Sequence, residues 1–337
     1  MIVKTHRQTS FHLLITMQGS VIPAIAPKIL LAATLGVVAQ LVNNGQLGET
    51  DDISNFSFSP FTALGVAISL FLGFHNNASY SRWWEARQLW GAQIIAVRNL
   101  IRFLLGSLES GDETSINNIE ETVEGNLERG ENDGESSGKD WREKIILLTV
   151  AQTHALRSQL RPSCKADVPR SALDDRNRFL GATDRILIEK APNPANAILL
   201  YATKILGKAP LTEYNRVHVS VLIDRFCEIQ TACERIHNTS LPLAYSLLVH
   251  RTAFLFVILA PFGMTTTMGW WTPLFTAILA YTFFGLDELA RQIQEPFRDE
   301  PHCLALSAMC RTVEIDVFHA LGREIPPPLQ PVDLVLM

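Results

Sequence analysis

The stretch Ser59-Pro60-Phe61-Thr62-Ala63-Leu64-Gly65-Val66-Ala67-Ile68-Ser69-Leu70-Phe71-Leu72-Gly73-Phe74-His75-Asn76-Asn77-Ala78-Ser79-Tyr80-Ser81-Arg82-Trp83-Trp84-Glu85 changes character half-way along. From Phe61 to Phe74 it carries no charge and few polar side chains; from His75 it turns polar, then basic and aromatic. No turn signal separates the halves, so the pattern predicts one long helix crossing from lipid or protein core into water. Gly65 and Gly73 weaken a helix in water but are common in membrane helices, where they allow close packing. Thr62, Val66, Leu70 and Phe74 recur every four residues and form one stripe. Spacing alone leaves two readings of that stripe, an ordinary lipid- or core-facing surface and a functional wall.

Toward the N-terminus, Val21 to Val42 is a first apolar span, about long enough for a hydrocarbon core of roughly 30 Å. Its one charge, Lys28, sits behind Pro23 and Pro27, where it can snorkel to an interface. Residues 1–19 lack the apolar core and cleavage pattern of a signal peptide. Between the two spans, Asn43 to Ser57 holds Glu49, Asp51 and Asp52 and no Lys or Arg. Arg82, Arg87, Arg98 and Arg102 arrive together after the second span, so the positive-inside rule places the acidic loop outside and both termini in the cytoplasm.

Trp83 to Leu105 keeps a helical period. Residues 1–104 therefore read as an N-terminal segment with spans at about 21–42 and 58–80, the second running into a cytoplasmic helix. Residues 105–140 are rich in Glu, Asp, Asn, Gly and Ser and read as a flexible acidic insert without EF-hand spacing. Residues 141–238 read as a helical cytoplasmic domain, with helices expected at Asp140–Leu160, Ala172–Glu189, Pro194–Leu206 and Thr212–His237. In the last of these, Val217, Val221, Leu222, Phe226, Ile229, Cys233 and Ile236 are expected to form the apolar face. Residues 239–288 hold a third span, Leu241 to Met264, and a fourth, Gly269 to Leu286, with Trp270 and Trp271 at an aromatic belt. Residues 289–337 supply a further cytoplasmic helix, His302 to Leu321, and a tail from Pro326-Pro327-Pro328. His250 and Arg251 interrupt the third span; they face protein or water within the membrane, or they lie at its inner interface.

Composition agrees with a mixed membrane and soluble architecture: 47% hydrophobic against 19% charged residues over 337 positions. The net charge of −5 speaks against nucleic acid as a partner. Five cysteines at irregular spacing form neither a zinc pattern nor a secreted framework, which suits reduced thiols facing a cytosol. There is no Walker loop, GxSxG, HExxH or paired CxxC, and His237, His250, His302 and His319 lack a partner His at helical spacing. No metal site and no cofactor is expected.

Gly73-Phe74 followed after seven residues by Arg82-Trp83-Trp84, on an apolar helix with Pro60 at its start, resembles the pore helix of the bestrophin channels. Leu241-Pro242-Leu243-Ala244-Tyr245, and Phe284-Gly285 through Glu295-Pro296-Phe297, are similar to the family in order and distance. The resemblance covers most of the chain outside the insert and tail, and it is to the bacterial branch. It implies an all-α homopentamer with four transmembrane helices per chain, a helical cytoplasmic domain, and a place in the bacterial inner membrane. It implies a pore neck of Val66, Leu70 and Phe74, and a second, cytoplasmic aperture for which Ile198 is the candidate. Eukaryotic members carry a dense acidic calcium cluster after the Pro-Phe motif, whereas only Asp299 and Glu300 follow here before Pro301, a departure that speaks against calcium activation.

The reading is therefore an ion channel, not an enzyme. An apolar ring sheds water readily and can gate by dewetting. His75, Asn76, Asn77 and Ser79 below it offer polar groups where ions rehydrate, and Arg82, Trp83 and Trp84 are expected to anchor the helix at the lipid interface. The partners are further copies of the chain, the bilayer and permeant monovalent ions. Family resemblance implies chloride, while a ring of Asp51 and Asp52 at the outer mouth favours cations. An alternative is a membrane-bound electron carrier or enzyme using His250, Asp287 and Glu288. A secondary transporter is disfavoured because no inverted repeat is visible.

Overall fold

The computed structural model describes residues 19–45, 59–107, 134–161 and 176–331. Asp51 and Asp52, and residues 108–133 of the expected insert, lie outside the described residues. The described residues form α-helices without strands: α1 Ile22–Asn43, α2 Ser59–Ile101, α3 Gly134–Leu160, α4 Ala182–Glu189, α5 Pro194–Lys208, α6 Glu213–Asn238, α7 Leu243–Met268, α8 Thr272–Gln294 and α9 Leu306–Ala320. Of the expected helix over 172–189, residues 172–175 lie outside the described residues, 176 and 177 are helical, and a turn at 178–180 separates them from α4. The edges of the expected insert are helical: residues 105–107 belong to a π turn at the end of α2, and α3 already starts at Gly134.

Helix α2 is the axis of the fold. Its 43 residues give a rod of about 65 Å at 1.5 Å per residue. Its first half packs into an apolar cluster of Ile25, Ala32, Ile68, Leu72, Val249, Ala253, Phe256 and Phe284. Its second half enters another, where Trp90, Val97, Leu100 and Leu104 meet Ile145, Ile146, Phe226 and Val313. In the second, soluble cluster, burying side chains of this size contributes about 1.5–3 kcal/mol each; in the first the alternative is lipid and not water, so close packing holds the helices together.

Three apolar helical stretches, Ile22–Asn43, Phe61–Ser107 and Leu243–Gln294, are long and apolar enough to cross a membrane. Gly269 (φ 53°) folds the last into the hairpin of α7 and α8, in a conformation that side chains disfavour. The 26 and 23 residues of these helices each exceed the ~20 a crossing needs, so the chain is a membrane protein with four crossings.

Helices α1 and α8 run antiparallel: Gly36 sits against Pro273 and Ile25 against Gly285. Phe256 covers Gly65 while Tyr245 reaches Phe71, so α2 and α7 are antiparallel too. These pairings bring the start of α1, the N-terminal end of α7 and the C-terminal end of α8 to the end of the bundle that meets the soluble helices. The described chain thus begins and ends on one side of the membrane bundle. Exposed Trp270 and Trp271 mark its far end.

Candidate pore

Helix α2 has one committed face and one free face. Ile68, Leu72, His75, Ser79, Ala86, Trp90, Val97 and Leu100, and Leu104 in the π turn that follows, are buried at intervals of three, four or seven residues, the period of a helix packed on one face from Ile68 onward. On the opposite face Val66 is 67%, Leu70 57% and Phe74 56% exposed. Gly73 has open space beside it, and the same face continues through exposed Asn77 and Ser81. The apolar stripe is thus not used within the subunit, and past Phe74 it gives way to small polar side chains.

The expected polar set below the stripe divides. Asn77 is on the free face, but His75 and Ser79 point into the subunit and Asn76 donates back to the Leu72 carbonyl at 3.0 Å. A helix turns 100° per residue, so consecutive polar residues cannot all share one face.

The expected lipid anchoring by Arg82 and Trp83 is corrected. Arg82 Nε donates to the Gln294 carbonyl at 2.8 Å, and its other arm donates to the Ile236 carbonyl. These are the last turns of α8 and α6, whose final carbonyls lack helical partners and carry the negative end of the helix dipole. One guanidinium closes both. Trp83 Nε1 donates to the His302 carbonyl at 3.1 Å, and only Trp84 is left largely exposed.

The Pro-Phe motif lies beside this junction. Phe297 is buried, and the Leu304 amide donates to the Pro296 carbonyl at 2.9 Å. Arg161, which sequence reasoning passed over, holds the loop from the other side. It donates to the Phe297 and Leu304 carbonyls at 2.9 and 2.7 Å and pairs with Asp299 at 2.9 Å. Burial lowers this guanidinium, and Asp299 acts against the shift. Burial pushes the neighbouring Cys303 thiol up to about 11, and it donates to the Glu295 carbonyl. The only signal for Arg161 was an arginine at a helix end before Pro162, a pattern that does not say which carbonyls it meets. Glu300 lies 3.8 Å from Arg298, and no group of three or more metal-binding side chains occurs among the described residues.

Ile198 does not line an aperture. It is fully buried between α5 and the rest of the soluble core, because its helix turns Leu200 outward instead. The apolar face of α6 is also rotated at its start. Val219, Ile223, Phe226, Ile229, Cys233 and Ile236 are buried, while Val217 and Val221 are exposed along with Tyr214.

His250, Asp287 and Glu288 do not form one site. His250 Nδ1 meets Asp287 Oδ2 at 2.6 Å, but Glu288 is taken by Arg291 at 2.6 Å and Gln292 at 2.8 Å. Lys28, half-buried on α1, lies 5.5 Å over the Phe284 ring. His250 and Arg251 therefore sit at the soluble-domain end of the bundle, not in its middle.

Comparison with known proteins bears on this geometry. Residues 1–319 match the family described as Bacterial/Fungal Bestrophin protein. A voltage-dependent anion channel-forming protein of Mesorhizobium japonicum is 36% identical over 332 residues, 97% of this chain and 94% of that protein. A protein of the same description from Escherichia coli K12 is 31% identical over 320 residues, covering 93% of this chain and 92% of its own. Crystal structures of a bacterial bestrophin homologue from Klebsiella pneumoniae superpose with a TM-score of 0.74 at 29% identity, covering 89% of this chain and 99% of theirs.

Proposed function

This chain belongs to the bacterial and fungal bestrophin family, and from that premise we propose that it forms a homopentameric ion channel of the bacterial inner membrane, both termini cytoplasmic, with α2 innermost. The observation that carries the reading is the free face of α2. Val66, Leu70 and Phe74 stand exposed along one face of a helix whose opposite face is buried from Ile68 onward, with Leu64 and Phe71 also exposed on its flank. Contiguous apolar surface of this kind marks a contact or a wetted passage. Lipid alone accounts poorly for the same face continuing as Asn77 and Ser81. Five copies ringed around this face place Val66, Leu70 and Phe74 in three stacked apolar rings, which close by dewetting and open when slightly widened. Asn77 then receives the ion as it regains water.

With Ile198 in the core, the aperture role passes to another side chain. Tyr214, at the end of α6 remote from the membrane, is 80% exposed and is the candidate. Three apolar rings carry no sign preference, and Arg82, bound to carbonyls, is not available to the passage. The similar proteins named as anion channel-forming support anions as the first reading. One specific feature favours cations: Glu49, Asp51 and Asp52 stand in a segment without a basic residue, and such a ring would concentrate cations within a Debye length of about 8 Å.

Flux through proteoliposomes tests the neck. Val66→Ala, Leu70→Ala and Phe74→Ala should each raise flux several-fold, while truncating exposed Leu30 on α1 should not. Unchanged flux in all three would return the stripe to lipid packing. Reversal potentials in a KCl gradient, then NaCl, with and without Asp51→Asn and Asp52→Asn, decide the sign: a shift toward the chloride potential in the double variant identifies the acidic segment as cation-selecting.

A further inference from the structure

Helix α6 also has a free face, and it takes over where that of α2 ends. Arg82 holds the Ile236 carbonyl, Arg235 pairs with Glu85, and the Phe103 ring lies 4.3 Å from that of His218. The two helices are therefore antiparallel, with the C-terminal end of α6 nearest the membrane. Glu85 is four residues past Ser81, on the stripe that carries the free face of α2. Beyond it Ala92 and Phe103 pack into the soluble core, so α6 covers α2 on that side and its own outward face continues the path.

That outward face consists of Arg235, Thr231, Glu228 and Asp224, followed away from the membrane by Val221, Val217 and Tyr214. All seven are exposed and recur alternately four and three residues apart, the spacing of about 3.5 residues that turns a helix toward an axis or a partner helix. A seam closed by copies of itself is apolar throughout. Here only the far end is; the positions nearest the membrane are polar, and Arg235, Glu228 and Asp224 carry charge. Closing them against other copies would strip water from those charges. Asp224, Cys227, Glu228, Thr231, Ala232 and Arg235 instead line an open recess. The membrane-side part of the face thus suits water, and the far part suits closure.

The charges along this wall do not balance. Arg235 is paired with Glu85, and Glu228 with Arg225 at 2.5 Å. Arg216, farther from the membrane, is spent on the carbonyls of Gly207, Ala209 and Leu211. Among the described residues no cation pairs with Asp224, which is exposed. We propose that Asp224 is the inner specificity-determining residue of the channel: its copies form a ring of uncompensated carboxylates in a wet vestibule between the neck and the Tyr214 aperture, and that ring favours monovalent cations over chloride. The inference rests on the ring reading above. A carboxylate ring inside a protein-walled cavity acts more strongly than one at an open mouth, because the low-dielectric walls focus its field.

The experiment is the reversal potential of the full chain in planar bilayers under a KCl gradient. Whatever the wild-type preference, Asp224→Asn should lower the cation-over-chloride permeability ratio several-fold, and Asp224→Lys should lower it further. Glu143→Gln, on α3 and paired with Arg323, should leave it unchanged. Cys227 supplies an independent readout, because it is exposed in the recess while Cys233, Cys303 and Cys310 are buried. In a Cys164→Ser background, a methanethiosulfonate bearing trimethylammonium, added on the soluble-domain side, should lower the ratio, and one bearing sulfonate should raise it. Cys227→Ser should abolish both effects. An unmoved reversal potential in Asp224→Asn overturns the proposal. So does a Cys227 thiol that reacts in dissociated subunits but not in the assembled channel, which would make this face a subunit contact. If Asp224 variants and thiol reagents change nothing while neck variants raise flux, this inference alone fails; unchanged flux in the neck variants, or a stable monomer, sinks the ring reading itself.

Discussion

Glu314 shows how this protein keeps a carboxylate in its soluble core. Its Oε1 meets His154 Nε2 at 2.7 Å, and its Oε2 meets Arg311 at 2.9 Å. Burial by itself pushes the carboxyl up, but His154 and Arg311 outweigh it and hold it below the usual carboxylate range. A carboxylate lowered in the folded state stabilises fully above its unfolded pKa of about 4.3, and that contribution is lost as pH falls through the lowered folded value. Glu314→Gln should therefore cost about 3 kcal/mol near neutral pH, as for one partner removed from a buried pair. It should also flatten the acid limb of the stability curve below about pH 4.3. Thermal melts of detergent-purified protein across pH check both; a variant as stable as wild type at pH 7 would show that the pair adds nothing over a neutral amide.

At the scale of helices, close approach depends on two glycines with different neighbours. A Cβ on Gly36 would come within 2.8 Å of the Pro273 Cα, which is backbone, so α1 and α8 would have to separate. A Cβ on Gly65 would meet the tip of the Phe256 ring at 3.0 Å, and a ring can turn aside. Gly36→Ala should thus cost about 1–3 kcal/mol, the range for overpacking, and Gly65→Ala less, despite the helix propensity both gain. Comparing the two melting temperatures tests the ranking, and equal losses would mean that the α1–α8 contact is looser than the distance indicates. Arg82 belongs to this scale as well, since one side chain joins the ends of α6 and α8 to the middle of α2.

For the whole molecule, the free surfaces are as informative as the cores. Leu200, Tyr214, Val217 and Val221 are exposed on the soluble helices, while Val66, Leu70 and Phe74 are exposed on α2. The proposed ring explains both sets: the first supplies subunit contacts and the aperture, the second the neck. Native mass spectrometry in detergent should give five times the 37.5 kDa chain mass, and a stable monomer would leave both surfaces unexplained.

The apolar crossings, the unbroken passage of α2 from membrane to soluble domain and the stripe on that helix are all legible in the residue order. These follow from hydrophobic transfer, helical period and turn signals, all properties of neighbouring residues. Which way His75, Ile198 and Val217 point, and what Arg82 holds, is set by packing between distant helices. Each has local surroundings that suit either a buried or an exposed role. The deciding partners are remote: Arg82 meets a carbonyl 212 positions away, and Tyr245 reaches one 174 positions back. A backbone carbonyl left open at a helix end is the same in every residue type, so no side chain in the sequence announces it; it becomes a partner only when packing brings the helix end and the guanidinium together.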